Sequence, residues 1–149
     1  MRRSRGDGLL VDTNLLIYAF RPESPEHPVA REWLSTLVNR GERLLLTSSA
    51  LVSFARLSTS PRIVRRPAEV HQVLAFIEAL RAGSGTQQVE PGPGYAGIFS
   101  GICTEGGLRG NDIPDAHLAA VAIEHGAILA THDRGFDRFD GLRTVDPLA

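Results

Sequence analysis

The chain contains no lysine, because all 16 of its basic residues are arginine. This absence excludes the phosphate-binding lysine of P-loop enzymes, Schiff-base chemistry and a lysine general base. Cysteine is almost as scarce. Cys103 stands alone, which excludes an intramolecular disulfide and a zinc site built from several thiolates. Catalysis would therefore have to come from carboxylates, imidazoles, hydroxyls or that one thiol.

The chain also lacks an excess of positive charge, since 16 basic residues face 17 acidic ones and the net charge is -1. This balance argues against a globally basic nucleic-acid-binding protein but allows a local basic face. No apolar run approaches the roughly 18 residues of a membrane span. The basic start at 1–5 leads into an apolar stretch that Asp12 interrupts, which is unlike a signal peptide. We expect a cytoplasmic protein with one domain over residues 1–149 and no membrane partner.

Short apolar runs alternate with stretches of helical spacing along the chain. The runs at 9–11, 44–46 and 128–131 predict buried strands, and 87–89 and 142–145 predict two further strands. Helical spacing also assigns Val29, Val70 and Leu74 to buried helix faces. The alternation predicts an α/β sandwich around a mostly parallel sheet. Six helices are predicted. The first follows Asp12, the second begins at Ser24–Pro25, the third is capped by residues 47–49 and the fourth begins at Pro67. The fifth contains residues 98–103, and the sixth runs from Asn111 or Asp112 to Gly126.

Three aspartates stand where such strands would end. Asp12 follows the first strand, Asp133 follows the strand at 128–131, and Asp115 lies in the first turn of the last helix. Functional groups gather at the carboxyl ends of parallel strands, so we expect the three to share one cleft. Converging carboxylates need a cation or a proton to offset their repulsion. Their hard oxygens suit Mg²⁺ or Mn²⁺, which can activate water for attack on a phosphodiester.

Purely structural interpretations stay open for each of these residues. Asp12 could be a helix cap, Asp115 a residue that complements the helix dipole, and Asp133 a turn former. His117 is expected to be a packed histidine rather than a ligand. Two interpretations stay open for the arginines, contact with RNA or a solvated surface position. The arginines considered are Arg56, Arg62, Arg65 and Arg66 beside the proposed cleft, and Arg109 and Arg134 near the acids.

Three stretches resemble, in order and spacing, the PIN-domain ribonucleases, and among them the VapC toxins of bacterial VapBC toxin–antitoxin systems. They are Val-Asp-Thr-Asn at 11–14, Asn-Asp-Ile-Pro-Asp-Ala-His-Leu-Ala-Ala at 111–120 and Thr-His-Asp-Arg-Gly-Phe at 131–136, and the segments 54–62 and 136–142 support them. The resemblance implies a three-layer α/β/α fold, Mg²⁺- or Mn²⁺-dependent cleavage of structured RNA such as tRNA or rRNA, a homodimer and inhibition by a VapB antitoxin. It implies catalytic and metal-binding roles for Asp12, Asp115 and Asp133, and supporting roles for Thr13, Asn14 and Thr131.

The chain departs from the PIN pattern at two acidic positions. Ser53 stands where the family typically has a glutamate, and Gly135 stands where it often has another acid. Asp112 either compensates for the missing acid or caps its helix, and we expect the cap. Two alternatives to a nuclease follow. One is a non-catalytic PIN-like module that binds RNA or a partner, and the other is an aspartyl-phosphate enzyme, which Asn14 and the lack of lysine disfavour.

Overall fold

A computed structural model describes residues 7–149, so the predicted basic start at 1–5 lies outside the described residues. Its five strands form one fully parallel sheet in the order β3-β2-β1-β4-β5. This confirms the predicted α/β class with a parallel sheet. The strands are β1 (Leu9–Val11), β2 (Leu44–Leu46), β3 (Thr86–Gln88), β4 (Ile128–Ala130) and β5 (Arg143–Val145).

Helices cover both faces of this sheet, as the three-layer prediction requires. Alternate strand residues point to opposite faces. Val11 and Leu46 pack in a core cluster with residues of α1 to α4, whereas Leu10 and Leu129 pack in a second cluster with residues of α5 and α6. The helices are α1 (Thr13–Phe20), α2 (His27–Asn39), α3 (Ser48–Thr59), α4 (Val70–Arg81), α5 (Tyr95–Gly106) and α6 (Asp112–Glu124), and a 3₁₀ helix spans Arg134–Arg138.

Two helices begin later than their prolines predict. The α2 helix starts at His27 rather than at Pro25, because Ser24 and His27 donate backbone hydrogen bonds in successive turns and Pro28 takes the first helical turn. The α4 helix starts at Val70 rather than at Pro67, because a reciprocal capping box with Gln72 fixes its N-terminus at Glu69. Proline fits a first helical turn but does not require one to begin.

Three apolar side chains assigned to buried helix faces are exposed instead. Val29 is 52% exposed, Val70 is 60% exposed and Leu74 is 52% exposed. The buried stripes run through neighbouring positions, Ala30 on α2 and Val73 on α4. None of the helices described over residues 7–149 has the length and apolar character that a membrane span needs.

The strand order reverses next to the central strand β1. The chain leaves β1 for β2 and β3 on one side, and then returns to place β4 and β5 on the other side. Connections that leave in opposite directions open a crevice beyond the carboxyl ends of the two strands, where α/β proteins bind ligands. Here that crevice lies after Val11 and Ala130, which are paired in register. The topology therefore brings Asp12 and Thr131 together.

Candidate active site

Asp12 is the buried acid at the centre of this crevice. It is 8% exposed and directly follows β1, and its backbone N–H donates to the carbonyl of Ala130. Asp12 holds the N-cap position of α1, but its side chain does not make the usual capping hydrogen bond. Its Oδ2 instead accepts a 2.7 Å hydrogen bond from the hydroxyl of Thr131, 119 residues further along the chain. By position Asp12 is the N-cap residue that the structural interpretation proposed, but its side chain bonds to Thr131 instead of capping the helix.

The surroundings of Asp12 disfavour its negative charge. Burial raises the pKa of the Asp12 carboxyl, and the negative charges of Asp115 and Asp133 raise it further. Hydrogen bonds from Thr131 and from the backbone of Thr13 oppose this rise without cancelling it. The three predicted acids therefore interact electrostatically.

Asp115 lies on the first turn of α6, as predicted, and contacts an arginine that the sequence analysis did not select. Nη2 of Arg138 lies 3.3 Å from Oδ2 of Asp115 and 3.5 Å from Oδ1 of Asp112. Burial raises the pKa of Asp115, with Asp133 and Asp112 adding to the rise and Arg138 opposing it. Asp112 is the first residue of α6, and Asn111 holds the N-cap position. The expectation that Asp112 caps the helix is therefore wrong.

Asp133 does form a turn, as its structural interpretation proposed. It precedes the 3₁₀ helix, and its Oδ1 accepts a 2.7 Å hydrogen bond from the N–H of Gly135. Its own N–H donates to the hydroxyl oxygen of Thr131, which in turn donates to Asp12. The Thr131 hydroxyl thus connects the two strand-end aspartates.

A cleft of about 370 Å³ opens between α1, α3 and α6. Asp12 and Asp115 both line it, whereas Asp133 lies outside its lining. Neutral polar groups and one cation complete its polar wall. These are Thr13, Asn14, Ser49, Ser53, Arg56 and His117. The cleft therefore combines two interacting carboxylates with hydroxyl, amide and guanidinium groups, a set suited to a phosphodiester.

His117 has a defined hydrogen-bonding environment in the cleft wall. Its Nδ1 lies 2.6 Å from the Tyr95 hydroxyl, and its Nε2 lies 3.1 Å from the Ser49 hydroxyl. Burial lowers the pKa of His117, while the charge of Glu90 acts in the opposite direction. These bonds join α3, α5 and α6, and the expectation that His117 is packed rather than a ligand stays a prediction. In the sequence, the only indication that His117 lies near the cleft is its position two residues after Asp115 on the same helix.

The arginines selected from the sequence lie in different places. Arg56 lines the cleft. Arg62, Arg109 and Arg134 are exposed side chains outside its lining. Arg65 and Arg66, expected beside the cleft, line another cavity together with Arg21 and Glu23. These arginines therefore do not form a single basic face beside the acids.

The donor atoms of the cleft suit a hard divalent cation. Asp12 and Asp115 provide carboxylate oxygens in one cleft, and a cation would relieve the repulsion that raises their pKa values. Across residues 7–149, no three His, Cys, Asp or Glu side chains already stand as a set that could hold an ion. Mg²⁺ commonly binds through one or two carboxylates and keeps several waters. The residues present fit that mode of binding.

Comparisons with known proteins show which family the chain resembles. The PIN domain family model matches residues 9–142. Ribonuclease VapC43 of Mycobacterium tuberculosis is 38% identical over 140 residues, covering 94% of this chain and 95% of that protein. Ribonuclease VapC25 of the same organism is 33% identical over 138 residues, covering 93% and 97%.

Solved structures of low sequence identity share the fold. A VapBC2 complex from Rickettsia felis bound to a promoter DNA fragment has a TM-score of 0.68 at 16% identity, covering 92% of this chain and 96% of that chain. A DNA-bound VapBC from Salmonella typhimurium has a TM-score of 0.66 at 17% identity, covering 95% and 98%. With the sequence matches and the acids at the strand ends, these likenesses lead to one conclusion: the chain belongs to the PIN-domain family, among the VapC ribonucleases.

Proposed function

We propose that this chain is the toxin of a toxin–antitoxin pair, an endoribonuclease that cleaves structured RNA such as tRNA or rRNA with Mg²⁺ or Mn²⁺. One observation carries the proposal. Asp12 and Asp115 face the same cleft at the point where the strand order reverses, and their charges interact with that of Asp133. The curated relatives with 31–38% identity are named as VapC ribonucleases, which supports the same reaction class.

The proposed chemistry is hydrolysis of an RNA phosphodiester by water. Thr131 donates a hydrogen bond to the Asp12 carboxylate, and Asp12 and Asp115 line the cleft in which the water and the phosphate would bind. The raised pKa values of the two carboxyls show that negative charge is crowded here, which favours a bound cation. The attacking water loses a proton to solvent as the new P–O bond forms, and the leaving ribose oxygen takes up a proton from solvent as its bond to phosphorus breaks.

A bound Mg²⁺ or Mn²⁺ would stabilise the charge that develops on the phosphate and lower the pKa of the attacking water. Asp12 and Asp115 are the proposed ligands from the cleft, and Asp133 is the third. Asn14 and Thr13 line the same wall and are proposed to orient Asp12 and the surrounding water. Asp112 is proposed to support Asp115 through their shared contact with Arg138.

The direct test uses purified chain, total RNA and Mg²⁺, followed by mapping of the new RNA ends. We expect discrete cleavage that chelator abolishes and that D12A abolishes. Asp140→Ala is the matched control, because Asp140 is an exposed aspartate outside the cleft lining. Cleavage that persists in D12A would contradict the proposal.

Arg56 is the arginine best placed to contact RNA. It lines the cleft, so Arg56→Ala is expected to raise the KM for RNA several-fold and to reduce the salt dependence of binding. Arg62→Ala removes an arginine of the same charge outside the lining and serves as the control. An equal loss in the two variants would favour a general charge effect over a contact in the cleft.

A PIN-like module that binds RNA or a partner without cutting it is the second candidate. Ser53 and Gly135 at two usual acidic positions favour it. RNA binding without any cleavage in Mg²⁺ or Mn²⁺ would support this candidate.

The proposed partners are RNA, a VapB antitoxin and a second copy of the chain, and the proposed location is the cytoplasm. The similar solved structures include VapBC complexes, which supports the antitoxin. The neighbouring reading frame should encode a small protein that copurifies with this chain and restores growth. Light scattering of the isolated chain tests the homodimer.

A further inference from the structure

Arg138 reaches the acidic site from the 3₁₀ helix with its guanidinium held at two ends. Nη1 donates to the carbonyl of Gly135, and Nη2 approaches the carboxylates of Asp115 and Asp112 at 3.3 and 3.5 Å. The guanidinium also stacks on the ring of Phe139, with Cζ 4.4 Å from the ring centroid. One nitrogen is therefore fixed to the backbone while the other provides positive charge to the acids.

Gly135 provides the space that this arrangement uses. A Cβ atom at position 135 would lie 2.8 Å from Nη1 of Arg138 and 3.0 Å from Oδ1 of Asp133. Any larger residue, including the acid that often stands here in PIN domains, would displace the guanidinium from its present position. The absence of a side chain at position 135 is therefore what allows Arg138 to occupy its present position.

We propose that Arg138 is a built-in counter-cation that competes with the divalent metal for the carboxylate of Asp115. Oδ2 of Asp115 accepts from Arg138, and a metal ligated by the same oxygen would meet both that donor and its positive charge. The Arg138 side chain is 35% exposed, so water can solvate its charge when a metal takes its place at Asp115. This inference rests on the proposed metal dependence of the site.

The competition has a definite sign. In the wild-type chain, metal binding breaks the contact between Arg138 and Asp115 and brings two cations together. Arg138→Gln removes the positive charge but retains an amide that can donate a hydrogen bond, so it should bind metal more tightly. Partly exposed ion pairs are weak, and the expected gain is about threefold to tenfold in Kd.

Calorimetric titration with Mn²⁺ alone tests this expectation on the full chain without RNA. Arg134→Gln is the matched control, because Arg134 belongs to the same 3₁₀ helix and is exposed. Tighter binding by R138Q than by wild type and R134Q supports the inference. Equal or weaker binding by R138Q overturns it while leaving the metal site intact, and absence of Mn²⁺ binding in all three proteins overturns the metal site as well.

A second measurement takes its result from the wild-type chain itself. In the wild-type chain, the ¹⁵N resonance of the Arg138 side chain should shift with Mg²⁺ and saturate together with metal binding, whereas that of Arg134 should not. The R138Q spectrum serves only to assign the signal. An Arg138 resonance that stays fixed as Mg²⁺ saturates the site would overturn the competition.

Discussion

Asp12→Asn should make the protein more stable while it abolishes the proposed activity. The Asp12 carboxyl is 8% exposed, and burial together with two neighbouring acids raises its pKa. Each unit by which the folded-state pKa exceeds the unfolded one costs about 1.4 kcal/mol of folding free energy at neutral pH. Asparagine is nearly isosteric and uncharged, and its side-chain oxygen can still accept from Thr131. For a chain of this size, each kcal/mol relieved raises Tm by about 2–4 °C.

The stability difference between Asp12→Asn and wild type should depend on pH with a fixed sign. The folded state holds its proton more tightly than the unfolded state, so wild-type stability falls as pH rises from the unfolded value of 3.8 through the raised pKa. The advantage of D12N is therefore full above the raised pKa and disappears below about pH 3.8. Thermal unfolding in chelator at several pH values measures it, and Asp140→Asn is the exposed control.

Metal should reverse this order of stability. Saturating Mn²⁺ binds the folded wild type and adds about 2.7 kcal/mol at one hundred times its Kd, whereas D12N lacks a proposed ligand and gains less. A Tm of D12N at or below that of wild type in chelator near pH 7.5 would refute the reasoning, because burial and repulsion would then not destabilise the charged carboxylate.

Three further changes test individual contacts. Thr131→Val removes the hydroxyl that donates to a buried carboxylate, so unfolding measurements should show a loss of about 1–3 kcal/mol and cleavage assays a lower kcat. Ser53→Glu places an acid in the wall of the cleft and should tighten Mg²⁺ binding about tenfold in calorimetry. Val52→Glu places the same acid on an exposed neighbouring residue and should leave Mg²⁺ binding unchanged. Equal effects of the two substitutions would contradict a local role of position 53. Tyr95→Phe removes the hydroxyl 2.6 Å from Nδ1 of His117 and should lower stability by about 1 kcal/mol in denaturant unfolding, and an unchanged midpoint would show that the bond contributes nothing.

Sequence reasoning located the parts of the site that depend on local pattern. Asp12 and Asp133 follow short apolar runs, and Asp115 follows a proline in a first helical turn, so strand ends and helix starts could be predicted directly. Placing Asp12 and Asp115 in one cleft also required the strand order, which alternation of strands and helices suggests but does not fix. Predictions based on Pro25 and Pro67 put the starts of α2 and α4 too early, because turns and capping residues further along the chain determine where these helices begin.

The contacts of Arg138 could not be predicted in the same way. Arg134 and Arg138 each follow an aspartate in the sequence, yet only Arg138 reaches Asp115, which lies 23 residues earlier on another helix. That choice depends on the path of the 3₁₀ helix and on the missing side chain of Gly135. Long side chains with many rotamers are placed by tertiary structure, and local spacing carries little information about them.

The hydrogen bond between Asp12 and Thr131 joins positions 119 residues apart, and β1 gains a neighbour on that side only when β4 arrives. During synthesis, Asp12 therefore lies beside an incomplete sheet until the segment that contains β4 and Thr131 has been made. Chains that end before Thr131 lack the hydroxyl that donates to Asp12. The arrangement of these two residues therefore requires a chain that extends through β4 and Thr131.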